Sequence, residues 1–404
     1  MTRMTRLLPL CAWWLGSLVA IAAPPTTNGT WVGTWGAAPQ LTEPANLPPA
    51  PGLSGTTLRQ IVHVSIGGTQ LRVRFSNAFG NSPVTIAAAA VAAAGDHGTI
   101  RPDSSRPLSF GGETTTTIAP GALAVSDPVD FELRPLSDLT VTVFFGGVSP
   151  DVTGHPGARC TSYLQKGDGV SATALPAAFT MQHWYILSGV EVRADRPGGV
   201  LAILGDSITD GRGSTTDRNR RWPDDLARRL QAEARTAQIG VLNEGIGGNR
   251  LLHAGLGPSA LSRLDRDVLE QNDVRWLIVF EGVNDLGTAP PDERGEVARQ
   301  VIAAYEEIIR RAHARHIRVY GATITPFGRS FYDSPAREAN RETVNDWIRT
   351  SDRFDGVIDF DAAVREPTNP TRLGPAVDCG DHLHLSDQGY EVLAGAIDLN
   401  WFTR

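Results

Sequence analysis

Cysteine is scarce in this sequence, with three residues in 404. Cys11 sits inside an apolar N-terminal run, and neither Cys160 nor Cys379 has a metal-type partner at short spacing. We therefore expect neither a metal site nor a cofactor. A basic excess is missing as well: 37 Lys and Arg stand against 44 Asp and Glu, a net charge of −7. Such a chain is a poor match for nucleic acid or for an anionic membrane surface. No long apolar stretch recurs after the N-terminus, so stable membrane insertion is not expected. There is no internal repeat, no low-complexity linker and no acidic tail, and the charge is dispersed, so the chain does not read as disordered. With 41% hydrophobic residues it can bury a large core, and its length suggests about two domains.

The first 22 residues read as an address. Arg3 and Arg6 form a positive start, Leu7 to Ile21 is mostly apolar, and Ala20-Ile21-Ala22 is a small-x-small cleavage site. Residues 1–22 are expected to be a signal peptide, which makes the protein secreted or periplasmic. The competing reading is a membrane-anchored N-terminus. Cleavage would remove two arginines and no acids, leaving −9. It would also leave two cysteines, and in an oxidising compartment an even pair invites a bridge between Cys160 and Cys379. The alternative is two unrelated thiols.

Two textures divide the rest. Residues 31–196 carry short alternating runs separated by turn residues. Gln70-Leu71-Arg72-Val73-Arg74-Phe75 and Leu139-Thr140-Val141-Thr142-Val143-Phe144 alternate strictly, and Leu58 to Ile66 and Pro83 to Val91 are further strand candidates. That pattern predicts an all-β sandwich or jelly roll. The boundary is expected near Arg196-Pro197-Gly198-Gly199.

From residue 199 to 404, strands alternate with helices. Strands are predicted at Val200 to Leu204, Ile239 to Leu242, Arg275 to Phe280, Val319 to Ala322 and Gly356 to Phe360. Helices are predicted at Trp222 to Leu230, Ser259 to Leu269, Val297 to Ala314, Ala339 to Arg349 and Asp387 to Ile397. Repeated βα units predict a parallel sheet covered on both faces, a three-layer α/β/α sandwich, with ligands bound beyond the strand ends.

Chemistry-bearing residues fall at those ends. Ser207 follows the first strand in Gly205-Asp206-Ser207-Ile208-Thr209. Asn243 to Asn249 follows the second, Gly282-Val283-Asn284-Asp285 the third, and Asp381-His382-Leu383-His384 lies after the fifth. A serine needs a base to become a nucleophile, and the base needs an orienting acid. Ser207, His384 and Asp381 supply all three. The Ser207 and Gly248 backbone N–H groups and the Asn284 amide are candidate oxyanion donors.

These blocks resemble the SGNH hydrolases, also called GDSL lipases and esterases. The resemblance covers about half the chain and carries the nucleophile onto Ser207, the oxyanion donors onto Gly248 and Asn284, and acid and base onto Asp381 and His384. It implies hydrolysis of a carboxylic ester through an acyl-enzyme. Trp31-Val32-Gly33-Thr34-Trp35-Gly36, Leu58-Arg59-Gln60 and Arg74-Phe75-Ser76-Asn77 are similar to the N-terminal β domain of secreted esterases of that family, a branch that includes proteins similar to acetyl xylan esterases. That likeness implies acetylated polysaccharide as the substrate class.

Each block has a plain competing explanation. Gly-Asp-Ser is often only a turn, Asn284 could cap a helix, Gly247-Gly248 could be a simple bend, and His382 could replace His384 as base. Trp31 and Trp35 are read as domain core rather than a sugar platform, and His253 and His313 as solvated or packing residues. The α/β-hydrolase alternative expects Gly-x-Ser-x-Gly, but Thr209 occupies its last position. Within the SGNH reading a lipase or lysophospholipase is the second activity. A polysaccharide-binding protein with a vestigial hydrolase half is the reading from another class.

Overall fold

The computed structural model describes residues 29–194, 198–290 and 295–403. The expected signal peptide, residues 1–22, lies outside the described residues, as do Arg196 and Pro197 of the expected boundary.

Strict alternation in the first half does produce antiparallel strands. Thr30–Gly36, Leu187–Ala194 and Gly68–Ser76 lie side by side in one sheet. A second sheet runs Phe179–Met181, Ser162–Lys166, Thr56–His63, Asp138–Phe145, Val84–Ala93 and Arg106–Pro107. Successive side chains point to opposite faces of a strand. Leu71, Val73 and Phe75 of one sheet thus share a buried cluster with Leu139, Val141 and Val143 of the other. A small third sheet joins Trp184–Tyr185, Thr153–His155 and Gln40–Leu41.

The second half forms a five-stranded parallel sheet in the order Gly240–Gly245, Val200–Gly205, Val274–Phe280, Arg318–Ala322, Gly356–Ile358. Val200–Gly205 is paired on both edges and every residue in it is buried. That explains its unbroken apolar character. The chain turns one way from this strand to the second and the other way to the third, so a switch point opens beside its C-terminal end. The longest helix, Glu296–His313, buries Val301, Ala304, Tyr305 and Ile308 at the 3–4-residue spacing that an inward stripe needs. Helix Trp222–Ala232 starts with Pro223 and two acids in its first turn. No helix among the described residues is long and apolar enough to cross a membrane.

Three expectations needed correction. The fifth strand stops at Ile358, because the Asp359 carboxylate accepts from the Ala362 N–H and starts helix Phe360–Val364. A hairpin, Arg365–Glu366 with Asn369–Leu373, then intervenes before the Asp381 loop. The helix expected over Ser259 to Leu269 is α-helical only over Ala260–Leu264 and widens to a π turn at Asp265–Leu269.

The two halves pack closely. Ala37 bridges in parallel to Asn243, and Val200 and Leu242 of the parallel sheet are buried within the β cluster. Trp35 is core, edge-on to Trp184 with ring centroids 4.9 Å apart, as expected, while Trp31 is half-buried beneath Arg72.

Candidate active site

The site begins with a strand that must end abruptly. A Cβ on Gly205 would lie 2.1 Å from the Thr209 Oγ1, so glycine lets the chain fold back on itself. Asp206 then accepts from the Ile208 N–H at 2.9 Å and starts a one-turn helix, Ser207–Asp210, which ends on Gly211 at φ 96. Burial pushes the Asp206 carboxyl up to about 7.

From this turn the Ser207 Oγ reaches the His384 Nε2 at 2.8 Å, and the His384 Nδ1 lies 2.7 Å from the Asp381 Oδ2. The other carboxylate oxygen accepts from the backbone N–H groups of His384, at 2.8 Å, and Leu383, at 3.1 Å. An acid three residues before its histidine can therefore grip both the ring and the loop. A carboxylate only accepts, so Nδ1 carries the ring proton and Nε2 is left to accept from the serine hydroxyl. Burial pushes Asp381 up, but the backbone and imidazole hydrogen bonds outweigh it and hold the carboxyl well below its ordinary range. Burial also pushes His384 down, and Arg212 and Arg159 add to that against the upward pull of Asp381, so the imidazole lies below its ordinary 6.5.

His382 is occupied elsewhere: its Nδ1 pairs with the Asp378 Oδ2 at 2.6 Å. His313 pairs with Asp355 at 2.8 Å at the surface.

Gly248 has φ +71 and borders the same cleft as Ser207, Asn284 and His384. The Asn284 Nδ2 donates to the Asn249 carbonyl at 2.8 Å, and its Oδ1 accepts from the Tyr332 hydroxyl at 2.9 Å. One hydrogen of the Nδ2 group remains for a further acceptor. Residues from four distant segments thus meet at one place.

Sequence reasoning missed what braces them. Arg263 is fully buried, and its guanidinium donates to the Glu244 and Gly205 carbonyls at 2.6 and 3.0 Å and to the Asn249 side chain at 3.0 Å. It also meets Asp267 at 3.1 Å and Glu281 at 3.4 Å. One cation therefore ties the ends of the first two strands to the third. Burial pushes the Glu244 carboxyl up to about 8 and raises Glu281 well above its usual range.

The cleft holds about 590 Å³. One wall comes from the β-rich half, with Gln40, Glu43, Asn46, Arg159 and His183. The other carries Leu256, Phe331 and Tyr332. Nothing in the strand alternation of the first half signalled that contribution.

The Cys160–Cys379 bridge is not formed. Cys160 is buried with the β cluster, where burial pushes its thiol up to about 12, and Cys379 is exposed in the catalytic loop. Contrary to expectation, Cys379 does have close polar neighbours: potential ligand atoms of Asp378, Cys379 and Asp381 lie within 4.8 Å of one another. Both carboxylates are already engaged, Asp378 by the Gly380 N–H and His382 and Asp381 by His384.

Residues 203–392 match the GDSL-like lipase/acylhydrolase family. No curated protein matches the chain. Among solved structures, the chain is similar to the acetyl xylan esterase AlAXEase, at 24% identity over 49% of this chain and 96% of that one, with a TM-score of 0.39. It is similar to a variant of Axe2, an acetylxylan esterase from Geobacillus stearothermophilus, at 22% identity over 51% and 94%, with a TM-score of 0.39. A GDSL-like lipase from Bacteroides thetaiotaomicron shares 15% identity over 49% and 85%, with a TM-score of 0.35. Residues 203–392 thus form a domain of the GDSL-like lipase/acylhydrolase type, which supports a carboxylic ester hydrolase.

Proposed function

We propose that this is a secreted serine esterase that removes acetyl groups from carbohydrate through an acyl-enzyme. The observation that carries the reading is the unbroken chain of hydrogen-bonding distances from the Ser207 Oγ through His384 to Asp381 at the floor of an open cleft. In this reading Ser207 attacks the ester carbonyl carbon while the His384 Nε2 takes its proton. The N–H groups of Ser207 and Gly248 and the Asn284 Nδ2 receive the developing oxyanion. Collapse expels the alkoxide, which takes the proton from His384. Water then repeats the sequence on the acetyl-serine, and acetate leaves. Asp381 stabilises the imidazolium at each stage.

Polar groups along the β-rich wall support a hydroxyl-rich alcohol. Phe331, 71% exposed beside Tyr332, supports contact with the apolar face of a sugar ring. In domain terms we read residues 31–196 as a β sandwich and 199–404 as an α/β/α hydrolase domain. The shared core of the two antiparallel sheets supports the first part.

A second reading has its own observation. Leu256 is 51% exposed and, with Phe331, puts apolar surface in the cleft, which suits a longer acyl chain. Parallel assays on acetylated xylan, p-nitrophenyl acetate and a phospholipid separate the readings. Acetate release from xylan at a rate comparable with the small ester is expected. Preference for the phospholipid overturns the carbohydrate reading in favour of a lipase, and xylan binding without any hydrolysis favours the vestigial alternative.

A further inference from the structure

The one-turn helix that carries Ser207 ends on Asp210, which is 1% exposed. Its Oδ1 lies 2.8 Å from the Nε2 of His155, a residue of the β-rich half that is 4% exposed. The His155 Nδ1 faces the Ala38 carbonyl at 3.0 Å. The carbonyl only accepts, so Nδ1 carries a ring proton, and the Nε2 contact joins the ring to the Asp210 carboxyl by a hydrogen bond between the two halves. Both groups are out of water, where a hydrogen bond is electrostatically stronger than at the surface.

The surroundings leave this ring little freedom. His155 ends the short strand Thr153–His155, which is paired on both sides, and its ring stacks on Trp184 with centroids 5.7 Å apart. Arg221 covers the same indole at 5.5 Å. The next turn presses on the carboxylate from above, since a Cβ on Gly157 would fall 1.7 Å from the Asp210 Oδ2. That oxygen has no hydrogen-bond partner among the described residues, and Arg159 lies 3.7 Å from it. Asp210 is also tied back to its own turn, its N–H donating to the Asp206 carbonyl at 2.8 Å. Any shift of Asp210 therefore moves the turn that aims Ser207.

We propose that His155 is a positioning residue for the nucleophile, acting through Asp210, and that the β-rich half is for this reason a working part of the active site rather than an attached module. The proposal rests on the serine-esterase reading above. An arrangement that holds Ser207 within a few tenths of an ångström of its productive position acts on the chemical step more than on substrate binding. His155 touches neither Ser207 nor His384, so the effect passes through the turn.

The test uses the full chain, p-nitrophenyl acetate and four variants. His155→Leu keeps much of the volume but donates nothing. His155→Gln restores a donor towards Asp210. Asp210→Asn replaces the carboxyl with an amide, and the double variant His155→Leu with Asp210→Asn completes a cycle. The leucine variant is expected to lose roughly ten- to a hundredfold in kcat with KM within about twofold. The glutamine variant is expected to recover most of that loss. The double variant should be no slower than the worse single one, because both changes break one link. Wild-type kcat in a folded leucine variant overturns the proposal. So do losses that multiply in the cycle, or a glutamine variant as slow as leucine, which would mark a packing role. Should the leucine variant not fold, His155→Gln and Asp210→Asn carry the test through the same kcat-against-KM split: a retained kcat in His155→Gln with a lowered kcat at unchanged KM in Asp210→Asn supports it, and any other pattern overturns it. Ser207→Ala measured alongside separates the failures: if it is as active as wild type, the esterase reading falls, whereas an inactive Ser207→Ala beside a fully active His155→Leu removes only this inference.

Discussion

Tyr332 and Asn284 are joined by a 2.9 Å hydrogen bond in which the phenol donates to the amide oxygen. Because the Nδ2 of the same amide donates to the Asn249 carbonyl, the two bonds fix one orientation of the amide. Asn284→Ala removes a proposed oxyanion donor and is expected to cost about 3 to 4 kcal/mol of transition-state stabilisation, read as a fall in kcat with KM little changed. Tyr332→Phe leaves the amide in place but unlatched, and should cost about 1 kcal/mol. Steady-state kinetics on p-nitrophenyl acetate check both. Equal losses in the two variants would contradict the proposed division of roles.

Acid–base behaviour follows from His384. In the proposed mechanism the neutral imidazole accepts the serine proton, and burial holds its pKa below 6.5. The base therefore stays neutral further into acid than an exposed histidine would. The acid limb of kcat/KM should have its midpoint below 6.5. Asp381→Asn removes the contribution that raises His384, so the limb should move further into acid. It also removes the partner that fixes the tautomer, so kcat should fall on the order of 10⁴-fold. A pH–rate profile of each protein is the measurement, and an acid limb above 6.5 in the wild type contradicts this environment.

Arg263 is the expected weak point for stability. Replacing it with Leu leaves Glu281 buried without its cation and Asp267 with Arg266 alone, and takes a donor from the Asn249 side chain and from the Glu244 and Gly205 carbonyls. Breaking such a buried pair from one side costs about 3 to 5 kcal/mol. Chemical denaturation should show that loss, together with weakened activity, since the same guanidinium joins the Ser207 strand to the Asn249 loop.

The candidate blocks at Ser207, Gly248 and Asn284 were legible because each follows a strand end, and a parallel sheet brings strand ends together, whereas the Asp381/His384 loop lies beyond a helix and a hairpin and was legible by its motif alone. The β strands were legible because Leu71, Val73 and Phe75 alternate with charged neighbours. Arg263 was not, since an arginine on an amphipathic helix reads as surface and only the folded carbonyl ends of two strands make it interior. His155 and Asp210 are 55 residues apart, and no periodicity links them. Tyr332 lies in an irregular segment without a pattern. The hairpin ending at Leu373 was not legible because its short strands carry a proline and charges instead of an apolar run. Cysteine count suggested a bridge, whereas both thiols are free.

That last difference gives its own prediction. With Cys160 and Cys379 both free, a reducing agent should leave the unfolding temperature unchanged. A thiol reagent at alkaline pH should modify Cys379 in the folded protein, and Cys160 only on unfolding. A drop in unfolding temperature on reduction would contradict the free-thiol state.

The central claim is that one hydroxyl does the chemistry. Its most direct test is the rate of p-nitrophenyl acetate hydrolysis by the Ser207→Ala protein beside the wild type. A fall on the order of 10⁵-fold, to near background, is predicted. Hydrolysis at the wild-type rate would contradict it.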